Sequence, residues 1–315
     1  MDKAVQKIPH KPVLYREVVN AFKDIESGYI IDCTMGYAGH SSMILEANPN
    51  ITLIGIDQDE TAINFSTQRL EPFKDRVIIK KGRFSDVMKE IVKEVDPSQI
   101  HGILADIGVS SLQLDQKDRG FSYNSETLDM RMDPDAPLSA KEVLNDYSQS
   151  DLEKIFFNYG ECKNGRRLAE IVVNNRPYTS AVEFTESIKH AMYLGGKIHF
   201  ATLPFQAIRI EVNDELGELK RLLESIKESG VSDTVVAVIS FHSLEDRIVK
   251  QNFQAWSKKC LCDVNAMRCT CGNNNNIGKS IAKKPIMAQK DELKENPRSR
   301  SSKMRIFHIN RESER

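Results

Sequence analysis

The stretch YIIDCTMGYAGHSSMILEA, residues 29–47, contains the pattern that decides the fold. An apolar run ends at Asp32 and continues through a loop of small residues into a segment with helical spacing. Three further apolar runs follow, and helix-like segments separate them from one another. These runs are ITLIGID (51–57), VIIKKG (77–82) and GILADIG (102–108). Apolar strands that alternate with helices predict a doubly wound, Rossmann-like α/β sheet.

The composition of the chain is that of an ordinary globular protein. Of its 315 residues 40% are hydrophobic and 28% are charged. The net charge of −1 leaves no overall field to attract a polyanion, so any nucleic-acid surface must be a local patch. The sequence predicts no membrane span and no secretory leader. Because Cys33 and Cys162 are isolated, the six cysteines do not form a disulfide framework, and we expect a cytoplasmic protein.

The alternation of strands and helices stops after Asp106. Three Ser-x-x-Glu sequences then follow with no strand between them, and each matches a capping box that begins a helix. They are SAKE (139–142), SDLE (150–153) and SAVE (180–183). The sequence therefore predicts a small helical domain at residues 114–200. It is inserted between a first α/β part at 1–113 and a second part at 201–315.

The second α/β part begins with one predicted long helix, at residues 205–227. Its apolar residues recur every three or four positions: Phe205, Ile208, Val212, Leu216, Leu219 and Leu223. Gln206, Arg209 and Asn213 lie opposite this stripe, as a solvated face or as buried polar groups that bridge the inserted domain. Beyond the helix we predict a buried strand at 234–241 and a closing edge strand at 303–309.

In a doubly wound sheet, ligands bind beyond the carboxyl ends of the strands. The first strand ends in Asp32 and a turn of small residues, and the second strand ends in Asp57, which is able to accept hydrogen bonds from both hydroxyls of a ribose. Phe84 follows the third strand and is able to pack on an adenine ring. The turn residues that we expect at the ligand are Gly36, Ala38, Gly39 and His40.

The turn after the first strand also indicates which nucleoside binds. A dinucleotide would require a third glycine near Ser41, where the helix closes on the pyrophosphate, and that glycine is missing. S-adenosylmethionine contains ribose and adenine without a phosphate, and the D-x-x-x-G-x-x-G loop suits it better. A tight strand-to-helix turn with no ligand is the alternative.

Asp106 ends the fourth strand, where chemistry on an exocyclic amine would take place. The lone pair of such an amine is delocalised, so a site must accept its hydrogen bonds and hold it in line with a methyl donor. Asp106 supplies an acceptor, Phe121 or Tyr123 would stack on the base, and a base in folded RNA would first leave its stack. Alternatively, Asp106 caps a turn and Ser110 and Ser111 cap the next helix.

The fifth strand ends in SFHSLEDR, residues 240–247, at the same edge of the sheet. This sequence places His242 beside the proposed reaction site, as a further candidate substrate residue. A packed turn with an internal ion pair explains the same residues almost equally well.

Eight segments together resemble the bacterial ribosomal RNA small-subunit methyltransferase H family. They are HKPVL, DCTMGYAGHS, GIDQD, DIGVSSLQLDQKDRGFS, LDMRMDP, FQAIRIEVNDEL, ISFHSLEDRIVK and NPRSRSSKMR. The resemblance covers nearly the whole chain. It implies a class I S-adenosylmethionine-dependent methyltransferase that modifies N4 of a cytosine in the 16S rRNA decoding region, within the small ribosomal subunit. It also implies the cofactor contacts Ala38, Gly39, His40, Asp57, Phe84, Asp106 and Gln113.

Three positions depart from the family pattern. Ala38 stands where the family has glycine, and we expect its methyl group to be tolerated only at negative φ. Leu203 replaces an arginine and Phe200 a proline, which implies a shifted RNA contact or weakened activity. Ser110, Ser111, Phe121, Arg209, Asn213 and His242 remain our candidate substrate residues.

The last third of the chain adds a cysteine cluster and a basic tail. Four cysteines form two C-x-C pairs, Cys260, Cys262, Cys269 and Cys271, able to hold a structural zinc ion or to remain reduced thiols. Basic residues dominate residues 279–305, and Arg298 and Arg300 are candidate RNA contacts, with a charged surface tail as the alternative.

Three other classes of protein fit parts of the pattern. A nicotinamide oxidoreductase would have the third glycine that this sequence lacks. A DNA amino-methyltransferase would need a recognition region distinct from the inserted helices, so we expect no DNA partner. A non-catalytic RNA-binding assembly factor on a methyltransferase fold agrees with the changes at Ala38 and Leu203, while the three strand-end aspartates disfavour it. Monomer and homodimer are both compatible with the sequence.

Overall fold

A computed structural model describes residues 11–192, 199–263, 266 and 268–311, except the side chains of Ser111 and Leu112. The chain forms two compact units. Unit 1 comprises Met1–Gly108 and Glu218–Arg315, and unit 2 comprises Val109–Gly217. Unit 2 thus extends further in both directions than the insertion at 114–200 drawn from the sequence. In the described ranges, none of the helices has the length and apolar character needed to cross a lipid bilayer.

Unit 1 is built on an eight-stranded sheet in the described part of the chain. The strands are β1 Gly28–Asp32, β2 Ile51–Asp57, β3 Val77–Lys81, β4 Ile100–Asp106, β5 Thr234–Ser240, β6 Gly278–Ser280, β7 Ile286–Met287 and β8 Lys303–Ile309. The order is β3-β2-β1-β4-β5-β8-β6, β7 pairs with β8, and the first five strands are parallel. The predicted doubly wound α/β sheet is confirmed.

The predicted closing strand is the one element of this sheet that needs correction. β8 is antiparallel to β5 and is not at the edge, because β6 and β7 pair with its other side. Short strands that cover an exposed ladder protect its unpaired N–H and C=O groups.

Helices cover both faces of the sheet, because neighbouring strand residues point to opposite sides. Ile31 packs in one core and Ile30 in the other. The helices of unit 1 are α1 Tyr15–Phe22, α2 Gly39–Ala47, α3 Glu60–Arg69, α4 Phe84–Glu94, α11 Glu215–Glu228, α12 Ser243–Trp256 and α13 Lys290–Glu295, with the first residues of α11 in unit 2. The buried residues of α4, α11 and α12 share the core of Ile31, and those of α1 and α2 share the core of Ile30.

Unit 2 is helical in its described residues, as expected for the inserted domain. Its helices are α5 Ser111–Asp115, α6 Ala140–Asp146, α7 Gln149–Asn158, α8 Gly165–Asn174, α9 Ala181–Ile188 and α10 Thr202–Asn213. The capping boxes at Ser139 and Ser180 are confirmed. The third is wrong by two residues, because Ser148 and not Ser150 accepts the hydrogen bond from the backbone N of Asp151 that begins α7.

The predicted long helix at 205–227 is broken into α10 and α11. Asp214 between them adopts a left-handed conformation with φ 49°, which ends the first helix. The single apolar stripe therefore serves two different cores. Phe205 and Ile208 pack in the helical core of unit 2, whereas Leu219 and Leu223 pack against the sheet of unit 1.

Candidate active site

Asp32 closes β1 and is almost fully buried, with 1% of its surface exposed. Its Oδ2 accepts a hydrogen bond of 2.6 Å from Ser41 Oγ, and its Oδ1 accepts one of 3.1 Å from the backbone N of Thr34. Burial raises the pKa of Asp32 because the charged form loses its hydration, and the Ser41 hydroxyl acts in the opposite direction. This carboxylate ties the start of α2 to β1 and fixes the turn between them.

Ala38 adopts the left-handed conformation, with φ 57° and ψ 33°. The expectation of a negative φ was therefore wrong. An L-residue costs about 1–2 kcal/mol in this region, and the fully buried methyl group of Ala38 packs in the core beneath the sheet. Gly36 also has a positive φ, and a Cβ there would meet only Thr34 O at 3.8 Å, whereas a Cβ on Gly39 would meet Pro12 Cγ at 3.2 Å. Open space in this turn lies at Gly36.

Asp57, at the end of β2, connects two loops of the sheet edge. Its Oδ2 accepts a hydrogen bond of 2.7 Å from the backbone N of Gly36, and its Oδ1 accepts one of 2.8 Å from the backbone N of Asp59. Burial raises the pKa of Asp57 to about 6, and nearby Asp59 and Asp32 add to the rise. Each oxygen retains a second lone pair for a further donor such as a ribose hydroxyl.

Phe84 stands next to this corner of the sheet. The backbone N of Gly82 donates to the carbonyl of Asp57 at 2.9 Å, which joins the end of β3 to the end of β2. Phe84 begins α4 two residues later and is half-buried against the first core. Phe84 is therefore only partly buried close to the end of β3.

Asp106 ends β4, and one of its two carboxylate oxygens lacks a hydrogen-bond partner in the described part of the chain. Its backbone N donates to Thr34 Oγ1 at 2.7 Å, and its Oδ2 lies 3.4 Å from His40 Nε2. Asp106 Oδ1 is buried and has no hydrogen-bond partner among the described residues, and the same holds for both ring nitrogens of His40. Buried polar atoms are normally paired, so this arrangement indicates a missing partner such as a ligand.

The sheet order brings the three aspartates together. β1 lies between β2 and β4, so Asp32, Asp57 and Asp106 end adjacent parallel strands on one edge. In the described part of the chain, no lysine or arginine forms an ion pair with any of them. Asp57 is able to bind the ribose of S-adenosylmethionine or of a nicotinamide dinucleotide, whereas a carboxylate at the end of β4 favours the sulfonium of S-adenosylmethionine over a pyrophosphate.

Two acidic residues, Glu245 and Asp246, fix the turn after β5 through contacts within the turn and with β8. Glu245 is fully buried, accepts hydrogen bonds from the backbone N of Phe241 and of His242, and lies 3.0 Å from His242 Nε2. Asp246 pairs with Arg305 through contacts of 2.7 and 3.2 Å. The packed turn accounts for Asp246, but Glu245 Oε1 and both ring nitrogens of His242 are buried without a hydrogen-bond partner among the described residues, so a substrate role for His242 stays a prediction.

Arg298 and Arg300 lie in a short 3₁₀ helix, Pro297–Ser301, and both are exposed. Arg305, which belongs to the same basic stretch, is in β8 and is neutralised by Asp246. Arg298 and Arg300 are therefore exposed, whereas Arg305 has a structural role in the ion pair with Asp246.

Ser110 and Gln113 cap the start of α5 together. The backbone N of Ser110 donates to Gln113 Oε1 at 2.9 Å, and the backbone N of Gln113 donates to Ser110 Oγ at 3.1 Å. The alternative in which Ser110 caps a helix is therefore correct. The side chain of Ser111 lies outside the described residues, and Gln113 belongs to unit 2.

The aromatic residues proposed to stack on a base have structural partners. Phe121 is 5% exposed in the helical core, and Tyr123 stacks on His199 with a centroid distance of 4.5 Å and donates to or accepts from Thr202 Oγ1. Burial accounts for Phe121 without a base, and we no longer propose it as a stacking residue.

The polar residues of α10 bridge parts of unit 2. Gln206 donates to the carbonyl of Tyr159 at 2.8 Å, and Arg209 forms a two-pronged ion pair with Glu215 at 2.8 and 3.1 Å. The Asn213 amide accepts from the backbone N of Met132 and donates to the carbonyls of Met130 and Arg209. These residues are half-buried bridges rather than a solvated face, so we withdraw Arg209 and Asn213 as substrate contacts. The departures Phe200 and Leu203 also pack against this helical core.

Two residues of the site were missed in the sequence. Thr34 positions Asp106 through its hydroxyl, and Met35 crosses so close to β2 that a Cβ on Gly55 would collide with its sulfur. Both contacts depend on strand order, since β1 pairs with β2 and β4 at once. The signal available for the contact with Met35 was Gly55, a glycine inside a strand that otherwise consists largely of β-branched residues.

The doubly wound sheet, its acidic edge and its glycine-containing turn define a class I S-adenosylmethionine-dependent methyltransferase, with S-adenosylmethionine as the cofactor. The chain belongs to the MraW methylase family, whose model matches residues 7–310. The family resemblance stated from the sequence is confirmed.

Several similar proteins match almost the full chain. A protein named Ribosomal RNA small subunit methyltransferase H from Sulfurimonas denitrificans is 61% identical and covers 97% of this chain and 99% of its own length. One of the same name from Aliarcobacter butzleri is 56% identical, over 95% and 98%. A solved rRNA methylase from Streptococcus thermophilus aligns over 94% of this chain and 95% of its own, at 7% identity and a TM-score of 0.40, a likeness too weak to carry any argument.

Proposed function

We propose that this protein methylates the N4 amine of a cytosine in the decoding region of 16S rRNA within the small ribosomal subunit. We propose that it does so in the cytoplasm. The relatives that match its full length are named as ribosomal RNA small subunit methyltransferases, which supports an rRNA substrate. The resemblance of eight segments to a cytosine-N4-specific family supports the position of the methyl group.

The observation that carries the chemistry is the carboxylate oxygen Oδ1 of Asp106. S-adenosylmethionine supplies an electrophilic methyl group on a sulfonium. An exocyclic amine must turn its lone pair toward that methyl, and its N–H groups then need acceptors outside the plane of the base. Asp106 Oδ1 is a buried acceptor with no partner among the described residues, and it stands at the end of the central strand β4. We assign Asp106 to hold the amine and to stabilise the charge that develops on it.

The cofactor residues have separate roles in this proposal. Asp57 accepts both ribose hydroxyls, and Phe84 packs on the adenine. The turn that contains Ala38 and Gly39 shapes the backbone beside the nucleoside, and His40 lies against Asp106. Gln113 remains a proposed cofactor contact, and only the family resemblance supports it.

Arg298 and Arg300 are the proposed phosphate contacts, because both guanidinium groups are exposed on a short turn. We assign rRNA recognition also to unit 2, the inserted helical domain. Ser111 and His242 remain proposed substrate residues, whereas Ser110 is no longer proposed because its hydroxyl caps α5.

The test is mass spectrometry of 16S rRNA nucleosides from the source bacterium with and without the gene. N4-methylated cytidine should fall in the deletion strain and return with the wild-type gene, but not with Asp106→Asn. An unchanged level of N4-methylated cytidine, or the loss of a different nucleoside, would contradict the proposed position. A strain that loses no methylated nucleoside but assembles subunits poorly would favour the non-catalytic assembly factor.

A further inference from the structure

Four cysteine sulfurs converge on the loop between α12 and β6, away from the acidic edge of the sheet. The Sγ atoms of Cys260, Cys262, Cys269 and Cys271 all lie within 4.8 Å of one another. The separations are 3.6 Å between Cys260 and Cys269, 3.7 Å between Cys269 and Cys271, and 3.7 Å between Cys271 and Cys260. All four are free thiols, so no disulfide bond explains the grouping.

These three separations match the edges of one face of a metal–thiolate tetrahedron, and the sulfur of Cys262 lies within 4.8 Å of the other three. Zinc binds cysteine sulfur at about 2.3 Å, which places the sulfurs of a regular tetrahedron about 3.8 Å apart. Hydrophobic packing does not account for the cluster, because the four side chains are exposed or half-buried. Weak S–H contacts would have to gather four thiols at the surface without a metal, and they contribute little.

Backbone groups of each C-x-C pair point at a sulfur of the other pair. The backbone N of Leu261 donates to Cys271 Sγ at 3.3 Å, and the backbone N of Thr270 donates to Cys262 Sγ at 3.3 Å. Hydrogen bonds of this kind favour the thiolate over the neutral thiol. They are also the outer contacts that orient ligands around a metal ion.

The base of the loop is tied together by contacts that do not involve the cysteine sulfurs. Asn275 donates from its side chain to the carbonyls of Lys259 and Cys271, each at 3.0 Å. The backbone N of Ile277 donates to the carbonyl of Trp256 at 2.9 Å, where α12 ends. The two C-x-C pairs are therefore presented to each other by a loop whose ends are already fixed.

We propose that Cys260, Cys262, Cys269 and Cys271 bind one zinc ion as four thiolates. Four sulfur ligands complete the tetrahedral coordination of zinc and leave no open position, so the ion is structural and takes no part in methyl transfer. The bound zinc ion would hold the loop between α12 and β6 in one conformation. Soft thiolates select zinc over magnesium or calcium, and iron is the competing metal that a measurement must distinguish.

The first test measures metal content in the full-length protein without an affinity tag. Elemental analysis by mass spectrometry should find one zinc per chain, and replacement by cobalt should give the visible absorption of a tetrahedral cobalt–thiolate centre. A metal-free protein that stays metal-free after incubation with zinc, or one that contains iron in place of zinc, would overturn the proposal.

The second test assigns the metal to this cluster. Cys260→Ser combined with Cys269→Ser should lose the zinc and become more sensitive to proteolysis between α12 and β6, while cofactor binding is retained. Cys162→Ala is the matched control, since Cys162 is a free cysteine in unit 2, and it should keep its zinc. Full zinc content in the double variant, or loss of zinc in the control, would place the metal elsewhere and refute the assignment.

Discussion

The sheet edge of unit 1 and helix α10 of unit 2 both display polar residues that the sequence marks as candidates, and the two differ in how those residues are satisfied. On α10, all three hydrogen bonds of the Asn213 amide go to neighbouring groups, and Arg209 is paired with Glu215. At the sheet edge, Asp106 Oδ1 and both ring nitrogens of His40 have no hydrogen-bond partner in the described ranges.

This difference separates residues that hold the fold from residues that await a ligand. A buried polar group that is fully paired stabilises the protein in the free state, whereas an unpaired one destabilises it until a partner binds. Substitutions at the two regions should therefore affect different quantities. Those on α10 should lower the free energy of unfolding, and those at the sheet edge should lower activity or cofactor affinity.

The largest effect should follow Asp106→Asn. The change removes the negative charge that would stabilise the methylated amine, so the rate of methyl transfer to small subunits should fall on the order of 100-fold or more. The free energy of unfolding should stay the same or rise, because a neutral amide costs less to bury than a charged carboxylate. Asp86→Asn, on an exposed side chain, is the matched control. Near-normal turnover in Asp106→Asn would remove this residue from the chemistry.

Asp57→Ala should weaken the binding of S-adenosylmethionine by about 1.5–3 kcal/mol, the contribution of hydrogen bonds to a charged group. Calorimetric titration of the purified protein measures this directly. Because Asp57 also accepts from Gly36 and Asp59, thermal unfolding must be recorded alongside to show that the turn survives. An unchanged dissociation constant would mean that the ribose lies elsewhere.

Asn213→Ala tests the other region of the comparison, the paired polar residues of α10. It leaves the backbone N of Met132 and the carbonyl of Met130 without their partner, and the free energy of unfolding should drop by about 1–3 kcal/mol. Denaturant unfolding measures the drop. Affinity for S-adenosylmethionine should change much less than in Asp57→Ala, and the opposite order would show that the satisfaction of hydrogen bonds does not distinguish the two regions.

The affinity for S-adenosylmethionine should also depend on pH through Asp57. Burial raises the pKa of this carboxyl to about 6 in the free protein, so the ionised acceptor predominates only above that pH. Affinity should be full well above pH 6, half-maximal near pH 6, and should then decline by up to about tenfold per pH unit. Titrations across this range test the effect, and Asp57→Asn should flatten the profile. A profile equally steep in Asp57→Asn would assign the dependence to another group.

The smallest effect should follow Ala38→Gly. Glycine relieves about 1–2 kcal/mol of left-handed strain, but it loses a buried methyl group that contributes about 0.8 kcal/mol, and the unfolded chain gains flexibility. The free energy of unfolding should therefore change by less than about 1 kcal/mol, with cofactor affinity preserved. A large loss of affinity would show that the alanine methyl itself shapes the site.

The strands and their terminal aspartates were predictable from the sequence, because an apolar run that stops at an acid marks the end of a parallel strand. The sequence did not allow us to predict which polar side chains have hydrogen-bond or ion-pair partners within the fold. Asn213 and Arg209 find partners that are far from evident in the sequence, and Arg305 meets Asp246 only once β8 pairs with β5. The break at Asp214 was also hidden, since the apolar spacing continues across it although the two halves serve different cores.

The most direct test of the account is a crystal structure of the full chain with S-adenosylmethionine bound. It should place both ribose hydroxyls within hydrogen-bond distance of the Asp57 carboxylate, about 2.5–3.0 Å, and the methyl group on the side of the crevice where Asp106 Oδ1 lies. A nucleoside bound away from the ends of β1, β2 and β4, or one with Asp57 and Asp106 turned from it, would contradict the account.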